Sequence, residues 1–230
     1  MTSRSAQRRD SSLVRKAHEP SKPRWLVPAV VIGVVAIAAI LAIALAGRGK
    51  TSTADTTGLQ QTQPVAVSGT ALPQFDGTAA TDPAIGMTIP TVTGKSFDGT
   101  PVTIQPTGSP QMLMFVAHWC PHCQREVPLV SDWLKKGGLP AGVQLTTVAT
   151  GTSSEAPNYP PSAWLQKNDW PSPIMADSAN SDAANALGLS SYPYFVFVDG
   201  DGKVVGRTSG EIATDQLETI VQQLAGKASG

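Results

Sequence analysis

The apolar run QMLMFVA at residues 111–117 passes directly into HWCPHC (118–123), which holds both cysteines of the chain. A short, nearly continuous apolar run fits a strand covered on both faces. Val127, Val130, Trp133 and Leu134 then recur at helical spacing until Gly137-Gly138 stops the pattern. The cysteine pair therefore falls where a buried strand hands over to a helix. Pro128 lies inside that helix and predicts a kink or a register break.

The remaining pattern alternates in the same way. Two extended runs flank Asp98-Gly99, a hairpin signal, and VQLTTVAT (143–150) reads as the next strand. A short helix is expected near 162–168, a short strand at 173–176, and a helical run at 180–187 ended by Gly188. YFVFVD (194–199) and KVVGRT (203–208) form a second hairpin, and residues 214–224 close with an amphipathic helix. Strand–helix alternation followed by a hairpin predicts an α/β domain over 89–226, with a mixed central sheet flanked by helices.

Upstream, LVPAVVIGVVAIAAILAIALA (26–46) carries no charge, and a helix of that length spans roughly 30 Å, the thickness of a bilayer's hydrocarbon core. Arg4, Arg8, Arg9, Arg15, Lys16, Lys22 and Arg24 precede it, opposed only by Asp10 and Glu19. The positive-inside rule makes 1–25 a cytoplasmic basic tail, 26–46 a transmembrane signal-anchor, and the rest extracytoplasmic, on a bacterial cell membrane. Ala44-Leu45-Ala46 offers the alternative of cleavage near Ala46 and secretion. Residues 47–88 are rich in Thr, Ser, Ala, Gly, Gln and Pro and are expected to form a flexible tether. The formal net charge is zero, so the composition gives no field that would recruit nucleic acid.

Four chemistries suit a cysteine pair. Structural zinc needs four ligands, and there is no second CxxC. Covalent haem attachment needs a histidine where Gln124 stands. An inert staple closing so short a loop stabilises little. Redox exchange remains, and the position explains it. Cys120 sits at the helix N-terminus, where unpaired N–H groups and the macrodipole favour a thiolate. Pro121 suits the first helical turn, and a protonated His122 would lower the Cys120 pKa further. Cys120 is then the nucleophile and Cys123, one turn in, the resolving thiol. The redox-active Cys120–Cys123 disulfide needs no added cofactor.

FVAHWCPHCQREVPLV (115–130) resembles the active site of the thioredoxin-like fold, in which a strand delivers WCxxC to a helix start. Glu126-Val127-Pro128 resembles the CxxCxxExP signature of membrane-anchored, extracytoplasmic thioredoxin-like proteins, the TlpA-like redoxins. ANALGLSSYPYFVFVDGDGKVV (184–205) is similar to their second landmark, a proline leading into a strand hairpin. The resemblance covers residues 85–226. It implies a cis Pro193 facing the cysteines and a Glu126 that exchanges a proton with Cys123. The residues alone allow that role, since position i+3 shares the helical face, and equally allow a solvated glutamate. Trp119, Pro121 and Tyr192 are the expected substrate contacts, with a core aromatic as the other reading of Trp119. Tyr192 departs from the small or β-branched residue expected before that proline. His118 reads as a solvent-facing rim residue. Cytoplasmic thioredoxin has a buried acid where Met114 stands, and peroxiredoxins a threonine where Ala117 stands, which argues against peroxidase activity.

The resemblance implies a thiol–disulfide oxidoreductase acting on cysteine-containing envelope or secreted proteins, recharged by a membrane or extracytoplasmic redox partner. Pro-His between the cysteines resembles the strongly oxidising enzyme DsbA, whereas the Glu126-x-Pro128 scaffold resembles reductants. His122 is expected to make the pair more oxidising than a typical reductase of this scaffold. A non-catalytic thioredoxin-like binding module and a metal-handling CxxC protein are the rival readings.

Overall fold

A computed structural model describes residues 58–226 of the chain. Its strands are β1 (Ala66–Ser68), β2 (Thr91–Lys95), β3 (Pro101–Ile104), β4 (Gln111–Val116), β5 (Gln144–Ala149), β6 (Ile174–Ala176), β7 (Tyr194–Val198) and β8 (Val204–Ser209). The helices are α1 (Pro121–Lys135), α2 (Pro161–Lys167), α3 (Asp182–Ala186) and α4 (Thr214–Gly226). The strands form one mixed sheet in the order β1-β2-β6-β5-β4-β7-β8, with β3 paired to β2. β4, β5 and β6 run parallel, while β7 is antiparallel to both β4 and β8.

β4 lies in the interior of the sheet and every one of its residues is buried, as an uninterrupted apolar run requires. Its side chains alternate between two cores. Met112, Met114 and Val116 pack with Val127, Val130 and Trp133 of α1 and with Leu217, Val221 and Leu224 of α4. Leu113 and Phe115 turn the other way, towards Tyr194, Val196 and the alanines of α3. α1 runs through Pro128 to Lys135 as one helix, so the expected break does not occur. A proline inside a helix costs about 3 kcal/mol, and burying Val127, Val130 and Trp133 returns roughly 1.5–3 kcal/mol each.

The expectation of a flexible tether up to residue 88 is corrected. α3 is too short to cover the second face of the sheet, and residues 66–89 complete that cover. β1 pairs with β2, and Leu72, Phe75, Ala84 and Ile89 are buried beside Phe115 and Tyr194. Leu72 N–H donates to Ala186 O and Phe75 N–H to Gly188 O, each at 2.9 Å. Asp82 forms a fully buried ion pair with Arg207 of β8. Arg207 also donates to Pro73 O (2.8 Å) and Tyr194 Oη (3.1 Å) and lies over the Phe75 ring. Burial pushes the Asp82 carboxyl up, but the Arg207 guanidinium and the Ala84 N–H outweigh it and hold it below its ordinary value. Gly188 has φ +77°, and a Cβ there would meet Pro73 O at 2.4 Å, so the approach of this segment depends on glycine. Averaged composition hid a few apolar anchors and one acid that finds its partner across 125 residues of sequence.

The predicted tail 1–25, the span 26–46 and the first part of the tether, 47–57, lie outside the described residues. Among the described residues no helix is long and apolar enough to cross a membrane.

Candidate redox site

Cys120 is the N-cap of α1 in an extended conformation (φ −70°, ψ 122°), and Pro121 opens the helix. Its N–H turns back to Ala117 O at 3.0 Å, which folds the strand end under the helix start. The residue is only 5% exposed. Cys123 is fully buried one turn further in, and its Sγ lies 3.5 Å from the Ala117 N–H. Both thiols are free. Burial pushes the Cys123 thiol far above its ordinary value; the Ala117 N–H opposes this, while the adjoining Cys120 and Glu126 add to it. Cys123 therefore keeps its proton unless a neighbour takes it.

Glu126 is that neighbour's natural candidate, one turn beyond Cys123 and 1% exposed. Its Oε1 accepts a hydrogen bond from Ile212 N–H at 3.2 Å. Burial raises its pKa to about 7, with the Ile212 N–H opposing and Glu211 adding. A carboxyl that titrates near neutrality can both accept and return a proton. The solvated-glutamate reading of this position is corrected: Glu126 is buried where α1 meets the chain at Ile212.

The Tyr192–Pro193 peptide is cis, and Cys120 Sγ lies 3.8 Å from Tyr192 O. Pro193 O accepts from Gly210 N–H at 2.8 Å, which ties the proline loop to the end of β8. The Tyr192 ring meets Trp119 edge-on at 5.6 Å between centroids, and Trp119 Nε1 donates to Gly151 O at 2.7 Å. Gly151 has φ +62°, and a Cβ there would come within 2.8 Å of Tyr192 Oη. Cys120, Cys123, Glu126, Trp119, Tyr192 and Pro193 thus share one site, with Pro121 exposed on its rim.

Two histidines depart from expectation. His118 is not a rim residue but is 1% exposed. Its Nδ1 lies 2.7 Å from Pro157 O, and its Nε2 accepts from Ser153 N–H at 3.2 Å. Burial holds its pKa below the ordinary value, partly offset by Pro157 O, so the ring is a neutral pin for loop 151–160. His122 turns its Nδ1 to Glu211 Oε1 at 2.6 Å, and Arg125 Nη2 lies 2.9 Å from the same nitrogen. Arg125 also donates to Glu211 through Nε (3.0 Å) and Nη2 (2.5 Å). Sequence reading missed both partners. Arg125, three residues after His122 on a helix, was legible; Glu211, 86 residues from Arg125, was not. Among the described residues no cluster of three metal-ligating side chains occurs.

The chain is similar to a thiol:disulfide interchange protein of the thioredoxin family from Chlorobium tepidum TLS, at 22% identity and TM-score 0.51, over 61% of this chain and 97% of that one. It is also similar to a solution structure of a candidate protein disulfide isomerase from Bacteroides thetaiotaomicron, at 26% identity and TM-score 0.50, over 64% of this chain and 91% of that one. The described domain accordingly has the thioredoxin-like α/β fold. The model of the AhpC/TSA family matches residues 85–207, more than half of the 230 residues, from just before β2 into β8. The chain belongs to the AhpC/TSA family.

Proposed function

We propose that this protein is a TlpA-like thiol–disulfide oxidoreductase, anchored by residues 26–46 in a bacterial membrane and acting on cysteines of envelope or secreted proteins. The observation that carries the reading is the graded cysteine pair. Cys120 is at the helix start, 3.8 Å from Tyr192 O, with Cys123 fully buried behind it and Glu126 beside Cys123. In the reducing direction, Cys120 thiolate attacks a substrate disulfide, forming a mixed disulfide and releasing one substrate thiolate. Glu126 carboxylate takes the Cys123 proton, and Cys123 sulfur attacks Cys120 Sγ. The Cys120–Cys123 disulfide forms as the second substrate thiolate leaves, so the substrate gains the two electrons that the protein loses. The oxidising direction is the same path reversed. Trp119 and Tyr192 frame the nucleophile, and the backbone before Pro193 offers its carbonyl to the incoming chain.

Peroxide reduction is not proposed, because Ala117 holds the position where peroxiredoxins carry a threonine hydroxyl. The test is a Cys123→Ser variant expressed with its anchor, followed by mass spectrometry of captured species. Mixed disulfides on Cys120 with envelope or secreted proteins are expected. Their absence, with the Cys120 thiol alkylatable and unoccupied, would leave the binding-module reading in its place.

A further inference from the structure

Residues 210–212 cross the redox site as a strap held at three successive positions. Gly210 N–H donates to Pro193 O at 2.8 Å, and Ile212 N–H donates to Glu126 Oε1 at 3.2 Å. Glu211, between them, has its backbone fixed on both sides, and its carboxylate receives His122 at 2.6 Å and Arg125 at 2.5 Å. Both side chains lie within the first two turns of the helix that Cys120 caps. The charged and titratable groups gathered at this helix start are therefore the Arg125 guanidinium, the His122 imidazole, the Glu211 and Glu126 carboxyls, and the Cys120 and Cys123 sulfurs. Nothing in the proposed exchange requires Glu211.

We infer that Glu211 is a positioning residue that sets the redox poise of the pair: it holds His122 and Arg125 and offsets the guanidinium charge beside Cys120. A cation near Cys120 stabilises the thiolate, hence the reduced form, hence a more oxidising couple. Glu211 works against that effect, which reconciles a Pro-His dipeptide with a scaffold resembling reductants. The inference rests on the exchange reading above.

The test is equilibration with glutathione, in which the Cys120–Cys123 disulfide and two reduced glutathiones give the dithiol and one oxidised glutathione. Populations are read by alkylation and mass spectrometry. Glu211→Gln, isosteric and on the surface, is expected to shift the constant about fivefold towards the dithiol, the upper range for a partly exposed pair, or about 20 mV for a two-electron couple. In a His122→Ala/Arg125→Met background the same substitution should shift the constant less, because only the direct effect of the Glu211 charge on Cys120 remains and no held guanidinium is released. An unmoved constant in the native background, or an equal shift in both, overturns the inference. The Cys120 thiolate titration, followed by ultraviolet absorbance in a Cys123→Ser background, separates this failure from that of the exchange reading. Glu211→Gln should move that curve to lower pH whether or not glutathione reacts, and an unmoved curve sinks the inference alone. Failure of the native protein to exchange with glutathione would instead overturn the exchange reading and, with it, a role for Glu211 in poise.

Discussion

Glu126 Oε1 and the backbone N–H of Ile212 lie 3.2 Å apart, 86 residues distant in sequence, and this contact ties the carboxylate to the chain after β8. It holds Glu126 against the sheet beside Cys123, with a pKa of about 7. In a preformed mixed disulfide on Cys120, the rate of Cys123 attack should therefore rise with pH through about 7. Glu126→Gln should abolish that inflection and slow the step at pH 7 about 10²-fold, the low end for general base catalysis. Stopped-flow release of a chromogenic thiol measures both.

The same carboxyl affects stability with a definite sign. Its pKa is raised from 4.5 to about 7, so between those values the native state holds a proton that the unfolded chain releases. That contribution is full below pH 4.5 and is lost as pH rises through about 7. Above pH 7, Glu126→Gln should be more stable than the native protein by on the order of 3 kcal/mol, and near pH 4 the two should coincide. Urea unfolding at the two pH values checks it.

His118 works in the opposite sense. Burial keeps it neutral below its ordinary 6.5, so as pH falls from 6.5 the unfolded chain takes up a proton the native ring refuses. Stability should fall across that window, and protection of the Ser153 amide against hydrogen exchange should fall with it. His118→Asn, which can keep one of the two bonds, should flatten the dependence.

The buried Asp82–Arg207 pair anchors the segment that composition assigned to the tether. Asp82→Asn should destabilise the domain by about 3–5 kcal/mol, because it leaves a guanidinium buried without its counter-charge. Adding Arg207→Met should recover much of the loss. Chemical denaturation of the three forms tests this, with unchanged stability in Asp82→Asn as the result that would refute it.

Gly151→Ala probes the frame around Cys120. At φ +62°, with Tyr192 Oη 2.8 Å from the added carbon, the substitution must displace the ring that meets Trp119. A loss of roughly 1–3 kcal/mol is expected from the backbone conformation, together with a blue- or red-shifted Trp119 fluorescence that a distant destabilising substitution would not produce.

Local pattern carried the elements because each depends on residues close in sequence. The run 111–117 is buried wherever it sits in an α/β layer, and the Asp98-Gly99 and Gly200-Asp201-Gly202 turns end strands without outside help. The cysteine pair was legible for the same reason: Cys120, Pro121 and Cys123 form the start of a helix that their own neighbours define. Leu72, Phe75 and Asp82 gave no such signal. They are scattered through a stretch poor in apolar residues, and only the uncovered face of β4 and β7 gives them a place.

The sequence by itself determined the mixed α/β architecture and the placing of the two sulfurs at a helix start, since both follow from periodicity and from local helix signals. Tertiary structure alone decided what surrounds those sulfurs. It buried His118, withdrew Glu126 from water, and set Glu211 against His122 and Arg125 across 89 and 86 residues. Charge and burial at a site are sums over whatever the chain folds beside it, and no local pattern contains that sum.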